Sequence, residues 1–154
     1  MDKYFMKMAL NEAYKAYDKQ EVPIGCVIVK NDKIIAKAYN LRESLKDPTA
    51  HAEILAIREA SKKLNGWRLS GCTMYVTIEP CPMCAGAIVN SRIDRLVIGS
   101  RDKKGGGCGS VIDVLHNDRL NHKADIKWNI LEKQSSEIMK KFFKELRRKN
   151  KDNK

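Results

Sequence analysis

Residues 77–87 read Thr77-Ile78-Glu79-Pro80-Cys81-Pro82-Met83-Cys84-Ala85-Gly86-Ala87, and within them a strand has to become a helix. The stretch before, residues 72–78, is apolar and rich in β-branched and aromatic types, the pattern of a strand. With Cys81 as N-cap, Pro82 falls at the first helical position, where a missing N–H costs nothing, and Cys84 becomes the third helical residue. Both sulfurs then sit in the first turn of a helix running to about residue 90. Free N–H groups and the positive end of the helix dipole there favour thiolate over thiol, the form that a metal ion requires.

A second motif complements this one. His51-Ala52-Glu53 follows Asp47-Pro48-Thr49 and opens a helix predicted from residue 50, which carries Ile54, Leu55, Ile57 and Leu64 and is ended by Asn65-Gly66. Either Asp47 or Thr49 is expected to cap it. One imidazole and two thiolates suit Zn²⁺ in a tetrahedral site, and three protein ligands leave the fourth position for water, as in a catalytic centre. The structural alternative fills that position with Cys108, Cys72 or a second histidine. Cys26 and Cys72 fall in strands and read as core residues. Glu53 stands two residues from His51, close enough to carry protons to and from a reacting group at a metal held there. Taken alone, it reads as a first-turn carboxylate complementing the helix dipole.

Outward from these motifs, Tyr4, Met8, Leu10, Ala13, Tyr14 and Tyr17 recur at near-helical spacing and predict a first helix. Residues 22–29 and 33–39 are β-branched runs separated by Lys30-Asn31-Asp32, which predicts an antiparallel hairpin. Residues 95–99 predict a fourth strand and residues 126–131 a fifth, with a glycine-rich loop over 101–110 between them. Ile138, Met139, Phe142, Phe143 and Leu146 share one stripe of a last helix expected over about 134–148. The polar end, 147–154, is expected to fray. The alternation implies an α/β fold with a mixed, roughly five-stranded sheet covered by helices on both faces.

At 154 residues with no linker or repeat, the chain is expected to form one domain. No apolar run approaches the roughly 20 residues needed to cross a bilayer, and the opening residues lack the pattern of a signal peptide. A cytoplasmic location is therefore expected. Five cysteines, an odd number, argue against a disulfide framework and for metal binding or catalysis. The 30 basic against 19 acidic residues leave +11, which points to a polyanionic partner such as nucleic acid, with simple solubility as the bland alternative.

The pair His51-Ala52-Glu53 and Pro80-Cys81-Pro82-Met83-Cys84 matches the H-x-E…P-C-x-x-C signature of zinc deaminases. Beyond it, Glu21-Val22-Pro23-Ile24-Gly25, Asp47-Pro48-Thr49-Ala50, Ser91-Arg92-Ile93, Gly109-Ser110, Asp113-Val114-Leu115-His116 and Asn121-His122 resemble bacterial tRNA-specific adenosine deaminases over residues 6–148. The deaminase signature is shared with enzymes acting on free guanine, cytosine or cytidine, whereas residues 101–122 look like the tRNA branch.

That resemblance implies a cytidine deaminase-like three-layer α/β/α sandwich and one zinc ion per subunit, held by His51, Cys81 and Cys84 with Glu53 as the catalytic proton carrier. It further implies a homodimer in which each neighbour helps to form the other's site, acting on the wobble adenosine of a tRNA anticodon stem-loop flipped into a pocket. Asn40 and the Ala52 backbone are then implied as contacts to the flipped nucleoside, although Asn40 alone reads as a strand-end turn residue. Phe143, Arg147 and Arg148 on the last helix are implied as RNA contacts, with His116 and His122 as weaker ones. The chain departs from the family at Gly105-Gly106-Gly107-Cys108, whose extra glycines are expected to loosen the loop. A free-base deaminase and a non-catalytic zinc-stabilised RNA-binding module are the competing readings.

Overall fold

The computed structural model describes residues 1–153. Five strands, β1 (Gly25–Lys30), β2 (Lys33–Tyr39), β3 (Cys72–Ile78), β4 (Arg95–Ser100) and β5 (Asp125–Lys127), form one sheet in the order β2-β1-β3-β4-β5. β1 is antiparallel to both β2 and β3, and β3, β4 and β5 are parallel. Four strands thus point one way and only β1 opposes them. Asn31 and Asp32, which join β1 to β2, both have positive φ, at 52° and 61°. Two such residues form the turn whose twist matches that of the strands it connects.

α1 (Asp2–Asp18) and α4 (Glu132–Asp152) lie on one face of the sheet, α2 (Ala52–Lys63) and α3 (Pro82–Ser91) on the other. Strand alternation supplies both cores. Cys26, Ile28, Met74, Val76, Leu96 and Ile98 point towards α2 and α3, while Val27, Val29, Tyr75 and Val97 pack with Phe5, Met6 and Ala9 of α1. Because β1 and β3 are buried on both faces, they read as continuous apolar runs. The expected α/β/α layering with a mixed five-stranded sheet is what the structure shows.

Four details differ from the sequence reading. The buried face of α1 is Phe5, Met6, Ala9, Leu10, Ala13 and Ala16, and Tyr4 and Tyr14 face solvent. The alanines let the helix approach the sheet closely, so the large tyrosines turn outward. β5 stops at Lys127, because Asn129 and Leu131 adopt left-handed φ of 66° and 55° and turn the chain into α4. α4 starts two residues earlier than expected and continues to Asp152, past the point where fraying was expected, with Lys149 and Lys151 in the last turn complementing the helix dipole. Lys154 lies outside the described residues. No helix among the described residues is long and apolar enough to cross a membrane.

Candidate active site and metal centre

The site forms at the ends of β2 and β3, where the chain leaves parallel strands for helices, the usual place for a crevice in an α/β sheet. Cys81 is the N-cap of α3 with extended backbone, Pro82 opens the helix and Cys84 is its third residue, as the sequence implies. His51 is itself the N-cap of α2, also extended. Neither Asp47 nor Thr49 caps that helix. Asp47 instead accepts bonds from the Thr49 backbone N–H (2.8 Å) and hydroxyl (2.7 Å), which fold residues 47–49 into their own turn. Neither helix has a side-chain cap bond, so the positive ends of both dipoles meet where the ligands gather.

His51 Nδ1 lies 3.6 Å from Cys81 Sγ and 3.5 Å from Cys84 Sγ. These three residues form the single cluster of ligating atoms close enough to share an ion among the described residues. Ordinary zinc–sulfur and zinc–nitrogen bonds in a tetrahedron put ligand atoms about 3.5 Å apart, so donor set and spacing both fit zinc. Cys108 turns its thiol toward the Pro80 carbonyl instead, and Cys72 begins β3 at the strand's far end. Neither completes a four-ligand structural shell. A hydrogen bond from Cys84 and the nearby His51 hold the Cys81 thiol down at about 4, whereas Cys84 is pushed well above the usual thiol range. His51 is raised, chiefly by its bond to Cys81.

Glu53 is 3% exposed, in the first turn of α2, and lies against Cys84 and His51. Burial pushes its carboxyl up to about 7. His51 and Cys81 are partly exposed and Pro82 and Met83 open to solvent, so the cluster is reachable from one side while Glu53 lines its dry floor. An accessible metal-ligand set beside a buried carboxyl near neutrality can activate water and carry protons.

The chain matches the family described as MafB19-like deaminase over residues 1–147. It is 51% identical to a tRNA-specific adenosine deaminase of Bacillus subtilis, covering 97% of this chain and 93% of the relative. The chain belongs to the deaminase family.

A tRNA-specific adenosine deaminase of Aquifex aeolicus is also 51% identical, over 94% of this deaminase and 95% of the relative. Among solved structures, one from work on A-to-I editing by tRNA:A34 deaminases superposes with a TM-score of 0.85 at 44% identity, covering 88% of this chain and 98% of the other. A guanine deaminase of Bacillus subtilis superposes with a TM-score of 0.61 at 40% identity, covering 64% and 63%.

The other residues expected to contact substrate lie on several elements. Asn40 is buried at the end of β2, donating to the Val22 carbonyl (3.2 Å) and accepting from the Arg42 N–H (3.2 Å). The next residue, Leu41, donates to the Ala50 carbonyl at 3.1 Å, which seats this turn against the residue before His51. Ala52 is fully buried behind His51. Phe143 is 37% exposed and Arg147 and Arg148 are exposed, on the half of α4 that reaches Tyr17 at the end of α1. That end of the sheet is also the site's end. His116 pairs with Asp113 on the surface. His122 bonds the Ile93 carbonyl at 2.6 Å, before the start of β4 and so at the opposite end of the sheet, a position suited to bracing the loop rather than meeting RNA at the site.

Sequence reasoning missed Glu79. It is 3% exposed and its carboxylate gathers the backbone of the glycine-rich loop, accepting from Asp102, Cys108 and Ser110 N–H groups at 3.1 Å each. An acidic residue directly before the Pro80-Cys81 turn was the available signal. The loop's glycines serve close approach more than looseness. A Cβ on Gly106 would lie 2.2 Å from Glu79 Oε2, and one on Gly107 2.7 Å from the Pro82 nitrogen.

Proposed function

We propose that this deaminase converts adenosine to inosine at the wobble position of a tRNA anticodon, using one zinc ion held by His51, Cys81 and Cys84. The observation that carries the reading is a three-ligand cluster beside the buried Glu53, in a chain half identical over its length to tRNA-specific adenosine deaminases. Zinc bound there supplies Lewis-acid activation of water at neutral pH. Glu53 is placed to take a proton from the attacking water and deliver it to the ring nitrogen as oxygen adds to C6, and then to take the proton of the new C6 hydroxyl and pass it to the departing amine, giving inosine and ammonia. A carboxyl poised near 7 can both accept and return that proton.

The Ala52 backbone and the buried Asn40 are assigned to the flipped nucleoside. Arg147 and Arg148, with Phe143, are assigned to the anticodon stem-loop, where guanidinium groups meet phosphate and an exposed ring offers a stacking face. The net charge of +11 favours that polyanionic partner. A homodimer is proposed on the family likeness. Free cysteines, all five of them, suit the reducing cytoplasm where tRNA is found.

The likeness to a guanine deaminase favours a free-base substrate as the second reading. Purified protein given an anticodon stem-loop or free guanine separates the two. The proposal expects inosine in the RNA, formed ever more slowly as salt screens the phosphates. Rapid turnover of guanine with inert RNA would overturn it.

A further inference from the structure

The loop over residues 101–110 has no secondary structure of its own beyond an isolated pairing of Cys108 with Asp113. It nevertheless lies directly on the metal-ligand turn: the Gly107 N–H donates to the Pro80 carbonyl at 2.8 Å, and Gly107 leaves no room for a side chain over Cys81 and Pro82. What gathers this loop is one side chain. Glu79 Oε1 accepts from the Asp102 N–H (3.1 Å) and the Ser110 hydroxyl, and Oε2 from the N–H groups of Cys108 (3.1 Å) and Ser110 (3.1 Å). Those partners are all donors, and they saturate both oxygens of a group with almost no exposure to water. The backbone fixes Glu79 in turn, its own N–H donating to the Ser100 carbonyl at 2.8 Å at the end of β4.

A buried carboxylate with four donors is expensive to remove, because each donor left behind loses its partner away from water. Polar contacts behind ligands also set how firmly those ligands are aimed. Glu79 precedes Cys81 by two residues and does not belong to the ligand cluster. Its effect on the centre therefore runs through the loop packed against Cys81 and Pro82.

We propose that Glu79 is a positioning residue, which ties the 101–110 loop down over the Cys81-Pro82 turn and so holds the metal ligands in working geometry. This rests on the deaminase reading above. An amide at position 79 would keep the shape but aim an NH₂ group at N–H donors, while alanine at 110 leaves the three backbone N–H donors in place and deletes only the hydroxyl donor.

The test uses full-length, zinc-loaded protein carrying Glu79→Gln or Ser110→Ala. Three quantities are read: hydrogen exchange at the amides of Asp102, Cys108 and Ser110, the rate of zinc transfer to a chelator in excess, and kcat and KM on an anticodon stem-loop for the folded fraction. Glu79→Gln is expected to speed exchange and zinc transfer and to lower kcat, each by about 10-fold or more. Ser110→Ala is expected to move all three the same way by a smaller factor, and decides the matter if Glu79→Gln does not fold. A lower melting temperature with zinc transfer and kcat at wild-type values would overturn the proposal and leave Glu79 a structural residue. If wild-type protein leaves the stem-loop unchanged, the substrate reading fails on its own. Exchange and zinc transfer still report on Glu79 in that case.

Discussion

At the scale of single residues, the site's chemistry depends on which groups are dry and which are partnered. Glu53 sits in the first turn of α2 with almost no exposure, beside the ligand cluster. Glu53→Ala is expected to retain zinc and RNA affinity while losing turnover by at least ~10², checked by metal analysis, binding and single-turnover inosine formation. Cys81→Ala or Cys84→Ala is expected to lose zinc outright, read by metal content after dialysis. Away from the site, Asp2 tests a different balance. The Arg95 guanidinium grips it at 2.9 and 2.7 Å and the Tyr75 hydroxyl donates at 2.8 Å, holding its carboxyl well below the usual range. A carboxyl depressed on folding stabilises above its unfolded value, near 3.9, and loses that contribution as pH falls toward the folded value. Asp2→Asn is therefore expected to cost about 1 kcal/mol at neutral pH, allowing for solvent screening, with the gap to wild type closing below pH ~4 in denaturant titrations.

At the scale of elements, the parts governed by local chemistry could be read from the sequence and the parts governed by distant packing could not. The Cys81-Pro82 helix start follows from the N-cap and N1 preferences of neighbouring residues, and the Asn31-Asp32 turn from residues that tolerate positive φ. Both were expected. The face of α1 was not, because alanines and tyrosines compete for it and only the approach of the sheet decides. Nor was the partnership of Glu79 with residues 23 to 31 positions later, which periodicity cannot register. The stripe on α4 was legible as a stripe, but the structure narrows its buried seam to Ser135, Ile138 and Phe142. Phe142 is 8% exposed and meets Tyr17 and Phe143 edge to face, with Phe143 outside the seam. Phe142→Ala is expected to cost about 3 kcal/mol, and Phe143→Ala well under half of that, by chemical denaturation.

At the scale of the whole molecule, one sheet brings two helix starts together at the end of its parallel strands, and a net charge of +11 gives the chain an attraction for polyanions. Affinity for an anticodon stem-loop is expected to fall linearly with salt on logarithmic axes, and Arg147→Ala to reduce the slope by roughly 0.7–1, measured by titration across salt concentrations. Turnover by this mechanism depends on a metal centre with one position left for solvent. X-ray absorption at the zinc edge of the purified protein examines it directly. Two sulfurs at about 2.3 Å, one nitrogen and one non-protein oxygen at about 2.0 Å are expected. A third sulfur, a shell closed by four protein ligands, or protein that binds no zinc would contradict the account.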